Sequence, residues 1–198
     1  VDEWALSVSE AFGAEFNSLG GKVVFNESVN PNDPDFRSVI ARMIGTKPDV
    51  LYAPIGFNTV AFFKQLSQLR FEKPVFESDN LNDEIISAAG DSTEGVYQTQ
   101  SINPDGDSYR LLVKLYEAQF GHPPTMPIYV AWGFDAVQLI AQAVRIVGPN
   151  PELINHELYK ARDFPGASGQ ISISSEGSSR VMVGLFRVRN GKLVLVER

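Results

Sequence analysis

The sequence has no cysteine in its 198 residues. That excludes disulfides, thiol nucleophiles and cysteine-built zinc or iron–sulfur centres. Histidine is nearly absent too. His122 precedes Pro123-Pro124 in a predicted loop, and His156 lies on a polar helical stretch, so both read as surface residues rather than a metal pair or a general base. Positive charge is in deficit: 17 Lys+Arg against 24 Asp+Glu leave a net charge of -7. Such a surface repels phosphate backbones and anionic lipid, which makes nucleic acid and membrane poor partners. No apolar run approaches the ~20 residues that cross a bilayer, so the reading is a soluble chain. No P-loop, G-x-G-x-x-G, H-E-x-x-H or G-x-S-x-G motif occurs. Gly166-Ala167-Ser168-Gly169 comes nearest to a nucleophile elbow, but its second glycine falls one place early, and it reads as a turn entering a strand. With no nucleophile–base pair and no cofactor motif, the expectation is a protein that is not an enzyme and takes neither cofactor nor metal. The chain opens at Val1 with neither initiator Met nor leader, as a processed or partial chain does.

What is present is ample apolar material, 43% of residues, arranged in alternating periods. Trp4, Val8, Phe12, Phe16 and Leu19 recur at helical spacing, and Gly20-Gly21 supplies a stop. Lys22–Val29 reads as a strand centred on Val23, Val24 and Phe25. Asp33-Pro34 is a helix start, a carboxylate cap followed by proline in the first turn. The helix it predicts carries Phe36, Val39, Ile40 and Met43 on one face and ends at Gly45. Asp49–Ile55 is a short apolar run suited to a buried parallel strand. A helix from Asn58 to Arg70, a strand over Pro74–Ser78, a short helix over Asp83–Ala89 and a strand over Glu94–Ser101 follow. This alternation predicts an α/β fold: right-handed βαβ units and a Rossmann-like parallel sheet with helices on both faces.

After Ser101 the pattern changes. Asn103-Pro104-Asp105-Gly106-Asp107 is turn-rich and reads as a crossing between lobes. Helices over Tyr109–Phe120, Ile128–Val147 and Pro151–Ala161 follow, with one obvious strand, Gly169–Ser174. A hairpin closes the chain, Val181–Arg189 and Lys192–Val196, turned at Asn190-Gly191. The chain begins on a helix without the strand a βαβ series opens with, and its second helical block lacks most of a sheet. Both features predict a fragment of a larger fold. If so, Val130, Val137, Ile140 and Val144 on the Ile128–Val147 helix form an exposed apolar stripe that drives self-association.

Ligands of open α/β sheets bind outside the carboxyl ends of the parallel strands. Asp79 follows the strand over Pro74–Ser78, either as the cap of the next helix or as a carboxylate for a cationic ligand group. Gly56 and Phe57 follow the strand over Asp49–Ile55 on the same edge. There Gly56 can present an N–H, and Phe57 either offers a ring or packs inside the lobe. Trp4, at the start of the first helix, serves either as a hydrophobic staple to Val8 or as a ligand contact.

The order of several segments resembles the type I solute-binding proteins of bacterial ABC importers, of the branched-chain amino acid (Leu/Ile/Val) type. The segments are Leu19-Gly20-Gly21-Lys22-Val23-Val24, Asp33-Pro34-Asp35-Phe36-Arg37, Lys47-Pro48-Asp49-Val50, Ala89-Gly90-Asp91 with Glu94-Gly95-Val96-Tyr97, Gly133-Phe134-Asp135-Ala136-Val137-Gln138, and Asp163-Phe164-Pro165-Gly166 with Gly169. The resemblance spans only the second half of such a receptor. It implies two Rossmann-like lobes joined by crossings near Thr99–Pro104 and Ser179–Met182, with the ligand in a cleft between them. Residues 1–101 and 182–198 then correspond to the second lobe, and 102–181 to the C-terminal part of the first. It further implies that Asp79 pairs with the ligand's ammonium group, that Gly56 and Phe57 supply a backbone or aromatic contact, and that Tyr129 and Trp4 are aromatics of the pocket. At Trp4 the family pattern has glycine next, and Ala5 stands here instead. The donors for the ligand's carboxylate fall outside the part resembled. The implied function is capture of an amino acid or related small polar solute and delivery to ABC permease membrane subunits. The implied location is the periplasm, or the outer face of a Gram-positive cell by a lipid anchor. A ligand-sensing or protein-regulating domain of the same fold, without transport, is the alternative.

Overall fold

The computed structural model describes residues 3–197. It contains two compact units. One holds the chain up to Thr99 together with Leu185–Val196, and the other holds Gln100–Gly184.

The first unit begins with α1 (Glu3–Ser18). Lys22–Val29, expected as a strand, belongs to no strand. Its apolar residues are used nonetheless, since Phe25 and Val29 pack against the core, and Glu27 pairs with Arg42 of the next helix. That helix, α2 (Arg37–Gly45), starts three residues later than Asp33-Pro34 predicts. Asp33 Oδ1 accepts the Asp35 N–H at 2.9 Å and Asp35 Oδ1 accepts the Arg37 N–H at 3.1 Å, so two successive carboxylates hold this stretch in turns. The expected face is buried, with Phe36, Ile40 and Met43 each under 5% exposed.

β1 (Leu51–Tyr52) is far shorter than the apolar run suggested. α3 (Thr59–Gln68), β2 (Val75–Glu77), α4 (Asp83–Ala89), a 3-10 turn (Gly90–Thr93) and β3 (Tyr97–Gln100) follow. β1, β2 and β3 run parallel, with Leu51 opposite Val75 and Phe76 opposite Tyr97. The C-terminal hairpin, β7 (Gly184–Arg189) and β8 (Lys192–Glu197), completes a five-stranded sheet of order β1-β2-β3-β7-β8. It turns at Asn190-Gly191 with φ of 52° and 71°, the left-handed pair that a two-residue hairpin needs. Ala53, Val75, Val96 and Val188 share a core with α2, α3 and α4. Alternation turns Tyr52 to the opposite face, where the ring of Phe12 from α1 stacks on it at 4.1 Å. The architecture is α/β with helices on both faces, and its sheet is mixed because the hairpin joins the parallel strands.

The second unit contains α5 (Asp107–Phe120), α6 (Pro127–Val147) and α7 (Pro151–Leu158). It also has a three-stranded antiparallel sheet: β4 (Phe164–Pro165), β5 (Gln170–Ile173) and β6 (Ser179–Val181). Only β5 stood out in the sequence. Contrary to the expectation that no apolar run nears membrane-spanning length, α6 qualifies on length and composition, with 21 residues and a mean hydropathy of 1.3. Within it lies Asp135, buried and hydrogen-bonded to the 167–168 backbone, which is the way packed protein treats a carboxylate. Of the apolar stripe, Val137 and Ile140 are exposed, whereas Val130 and Val144 are partly covered.

Candidate functional site

The carboxyl ends of β1 and β2 carry two adjoining loops, 53–58 and 78–82, stitched together by one side chain. Asn80 Nδ2 donates to the Ile55 carbonyl at 2.9 Å and to Thr59 Oγ1 at 3.0 Å. Thr59 Oγ1 in turn donates to the same carbonyl at 2.9 Å. The far side of the second loop is fastened by β3. Gln98 spans Leu81, accepting its N–H and donating to its carbonyl at 2.6 and 3.1 Å, and the Thr99 N–H and Oγ1 both donate to the Ser78 carbonyl. Backbone and buried amides thus fix the loop from both sides, which preorganises what it displays.

The loop displays Asp79. Its carboxylate is half-buried, with Ser78 Oγ at 3.5 Å from Oδ1, and burial raises its pKa, opposed by that hydroxyl. Among the described residues no ion pair involves it. The capping alternative for Asp79 does not hold, because Asn82 caps α4 by accepting the Ile85 N–H at 2.9 Å. A half-buried carboxylate with no ion pair among the described residues has the chemistry to accept a cationic group.

Gly56 and Phe57 lie on the neighbouring loop. Phe57 is 56% exposed, so its ring is not packed inside the lobe. Asn58 follows in the left-handed region, φ 54°, and donates to the Pro31 carbonyl at 2.8 Å, which fixes the turn that presents the ring. Gly56 and Phe57 also line a groove of about 260 Å³ with Leu51 and Tyr52 of β1, residues 25–31, and Ala5, Leu6 and Ser9 of α1. Trp4 lies within the first turn of α1 rather than ahead of the helix, where a staple residue sits. Tyr129 belongs to the second unit, in the first turn of α6, its ring edge-on to Trp132 at 5.4 Å. Trp132 Nε1 donates to Ser101 Oγ at 2.8 Å. The structure therefore brings Asp79, Gly56 and Phe57 to one sheet edge.

Sequence reasoning missed Glu77 and Tyr52. Glu77 is 1% exposed. Its Oε2 accepts the Asn80 N–H at 2.8 Å, and Ser78 Oγ lies 3.3 Å from Oε1. Burial foremost, with Asp79 adding, pushes its pKa up to about 7 against those hydrogen bonds. Tyr52 is raised to about 12 by burial and by both carboxylates. The missed signal was local: Glu77 is two residues from Val75 on a predicted strand, hence on its buried face.

The profile of the periplasmic binding protein family matches residues 2–190. The chain belongs to that family. Leu/Ile/Val-binding protein homolog 1 of Brucella abortus (strain 2308) is 26% identical over 172 residues, covering 84% of this chain and 45% of its own length. The solved leucine binding protein LivK of Thermotoga maritima MSB8 superposes with a TM-score of 0.83 at 27% identity, covering 98% of this chain and 57% of that one. A candidate branched-chain amino acid ABC transporter from Rhodospirillum rubrum gives 0.87 at 26% identity, with 99% and 58% covered. This periplasmic binding protein chain thus spans about half the length of the relatives it matches, and its fold is that of the type I branched-chain amino acid group.

Proposed function

We propose that this chain is the ammonium-recognising part of an extracytoplasmic solute-binding protein that captures an amino acid or related small polar solute and delivers it to an ABC permease. The observation that carries this reading is Asp79, a half-buried carboxylate on a loop held from both sides, at the carboxyl edge of a parallel sheet, with no ion pair among the described residues. A zwitterion entering such a site loses strong hydration at its ammonium end, and a fixed carboxylate replaces it. Gly56 contributes a backbone contact, and Phe57 an apolar surface against the ligand's side chain. Trp4 and Tyr129 are assigned as further aromatic contacts, and residues 1–101 with 182–198 as the lobe that holds Asp79. The family membership and the Leu/Ile/Val-binding relatives favour a branched-chain ligand and action as a binding protein rather than an enzyme.

Calorimetry of the full-length protein at pH 8 tests this with L-leucine, L-isoleucine and L-valine, and with 4-methylpentanoate as a leucine mimic lacking the ammonium group. We expect an L-amino acid to bind, the mimic to fail, and Asp79→Asn to weaken binding by about 30- to 1000-fold, the cost of removing one partner of a desolvated charge pair. Undiminished binding in Asp79→Asn, or binding of the mimic as tight as leucine, overturns the assignment.

A further inference from the structure

The binding reading leaves one group unused: a carboxyl sealed beneath Asp79. Among the described residues Glu77 forms no ion pair. In its surroundings β1 contributes Tyr52, which feels its charge, and the following loop contributes Asp79. β3 sets the neutral Gln98 opposite it, α3 offers the Thr59 hydroxyl through Asn80, and the acidic residues of α4, Asp83 and Glu84, are exposed. Between the two carboxyls stands Ser78, itself buried, with Oγ 3.3 Å from Glu77 Oε1 and 3.5 Å from Asp79 Oδ1. A hydroxyl has one hydrogen and can satisfy only one carboxylate at a time. If both groups are ionised, one of them goes without the hydroxyl's hydrogen, whereas a protonated Glu77 donates to Ser78 Oγ and frees the serine hydrogen for Asp79.

We propose that Glu77 is a positioning residue whose proton is exchanged for the ligand's positive charge: docking of an ammonium group on Asp79 drives ionisation of Glu77 through the shared Ser78 hydroxyl. This rests on the reading of Asp79 as the ammonium partner. In the free site Glu77 O–H donates to Ser78 Oγ, and Ser78 O–H donates to Asp79 Oδ1. Shifting both protons along the chain leaves Glu77 as carboxylate and Asp79 as acid. Asp79, half-exposed, passes that single proton to solvent and takes the ammonium group instead. Two carboxylates then face one cation, so binding releases a proton and tightens as pH rises through neutrality.

Two measurements on the full-length protein test this. Carboxyl carbon NMR of the ligand-free protein is expected to show Glu77 titrating near neutrality, with a second inflection at the same pH in the Asp79 signal. Glu77→Gln, which keeps an acceptor for the Asn80 N–H, should abolish that inflection, and Ser78→Ala, which keeps both carboxyls, should shrink it. Calorimetry with L-leucine at pH 7, in phosphate and in Tris, should show release of roughly half a proton, with affinity rising about tenfold from pH 6 to pH 8. In Glu77→Gln the release should be zero and the profile flat. Glu77 titrating in the ordinary carboxylate range, or leucine binding without proton release, overturns the proposal. A coupled titration in a protein that binds none of L-leucine, L-isoleucine and L-valine supports the carboxyl pair and overturns the branched-chain reading instead.

Discussion

Replacing Asp135 by alanine should unfasten the second unit at one point. Asp135 lies on α6 and is 2% exposed. It accepts the Ala167 N–H on Oδ1 at 2.6 Å, and on Oδ2 the Ser168 N–H at 2.8 Å and the Ser168 hydroxyl at 2.6 Å. Ala167 and Ser168 are equally buried. Their turn joins β4 to β5, so this one carboxylate ties helix to sheet. Gly166 is fitted to it, because a Cβ there would meet Asp135 Oδ2 at 2.5 Å. Truncation leaves two buried backbone donors without acceptors, each costing about 1–3 kcal/mol, while the serine hydroxyl can rotate to another partner. The expected loss is about 3–5 kcal/mol. With a urea slope of about 2–3 kcal/mol per molar, the unfolding midpoint falls by roughly 1–2 M. Asp135→Asn should recover only part of this, since its NH2 would meet an N–H and one of the two amide bonds stays broken. Ser168→Ala, which loses the hydroxyl alone, should cost about 1 kcal/mol. The assay is urea unfolding followed by far-UV circular dichroism and by Trp132 fluorescence, with Trp4 replaced by Phe so that one reporter remains. Trp132 sits on α6 and donates to Ser101 within the same unit, so it senses release of the helix directly. A loss below about 1 kcal/mol in Asp135→Ala would refute the reasoning, because water must then reach these amides.

Glu77 titrates near 7 when folded against an ordinary 4.5, so the folded state binds its proton more tightly. Its destabilising contribution is therefore nil below about pH 4.5, grows as pH rises through the interval, and saturates near about 3 kcal/mol above pH 7. Urea midpoints of Glu77→Gln and the parent chain should accordingly diverge in the variant's favour between pH 5 and pH 8, and an equal difference at both pH values would refute the assignment. On α6, Val137 and Ile140, one turn apart on one face, are 65% and 47% exposed. We expect the 198-residue chain to self-associate through that face, giving a mass by light scattering that rises with concentration, and Val137→Asp with Ile140→Gln to return it to a monomer; a clean monomer at high concentration in the parent refutes this.

How far the sequence could be read depended on whether each element is specified locally. Asn190-Gly191 dictates its hairpin through two left-handed residues, and the helix over Asp83–Ala89 is found to the residue from its own apolar pair, Ile85 and Ile86, although its cap is Asn82 and not Asp79. The start of α2 is a different case. Gln65 on α3 takes the Phe36 N–H on Oε1 and gives its amide to the Pro34 carbonyl, both at 2.7 Å, a cap supplied from 29 and 31 residues away that no local motif announces. β6 is Ser-Arg-Val and β4 is Phe-Pro. Neither carries an apolar alternation, and both exist because β5 pairs with them.

Lys22–Val29 shows the converse. Its composition is that of a strand, but a strand is made by a neighbour, and β1, the outermost strand of its sheet, is separated from Phe25–Pro31 by the groove. At the site, Asp79, Gly56 and Phe57 were legible because parallel strands announce where their carboxyl ends lie. Glu77 was not singled out, since one glutamate on a strand reads as an outward residue until the alternation from Val75 is followed. Its consequence depends on burial by α3, α4 and β3, which only the folded chain assembles. Strand placement thus locates Asp79 at the sheet edge, whereas tertiary packing raises the proton affinity of its neighbour Glu77. The two readings make separate claims: Asp79→Asn bears on the first, Glu77→Gln on the second.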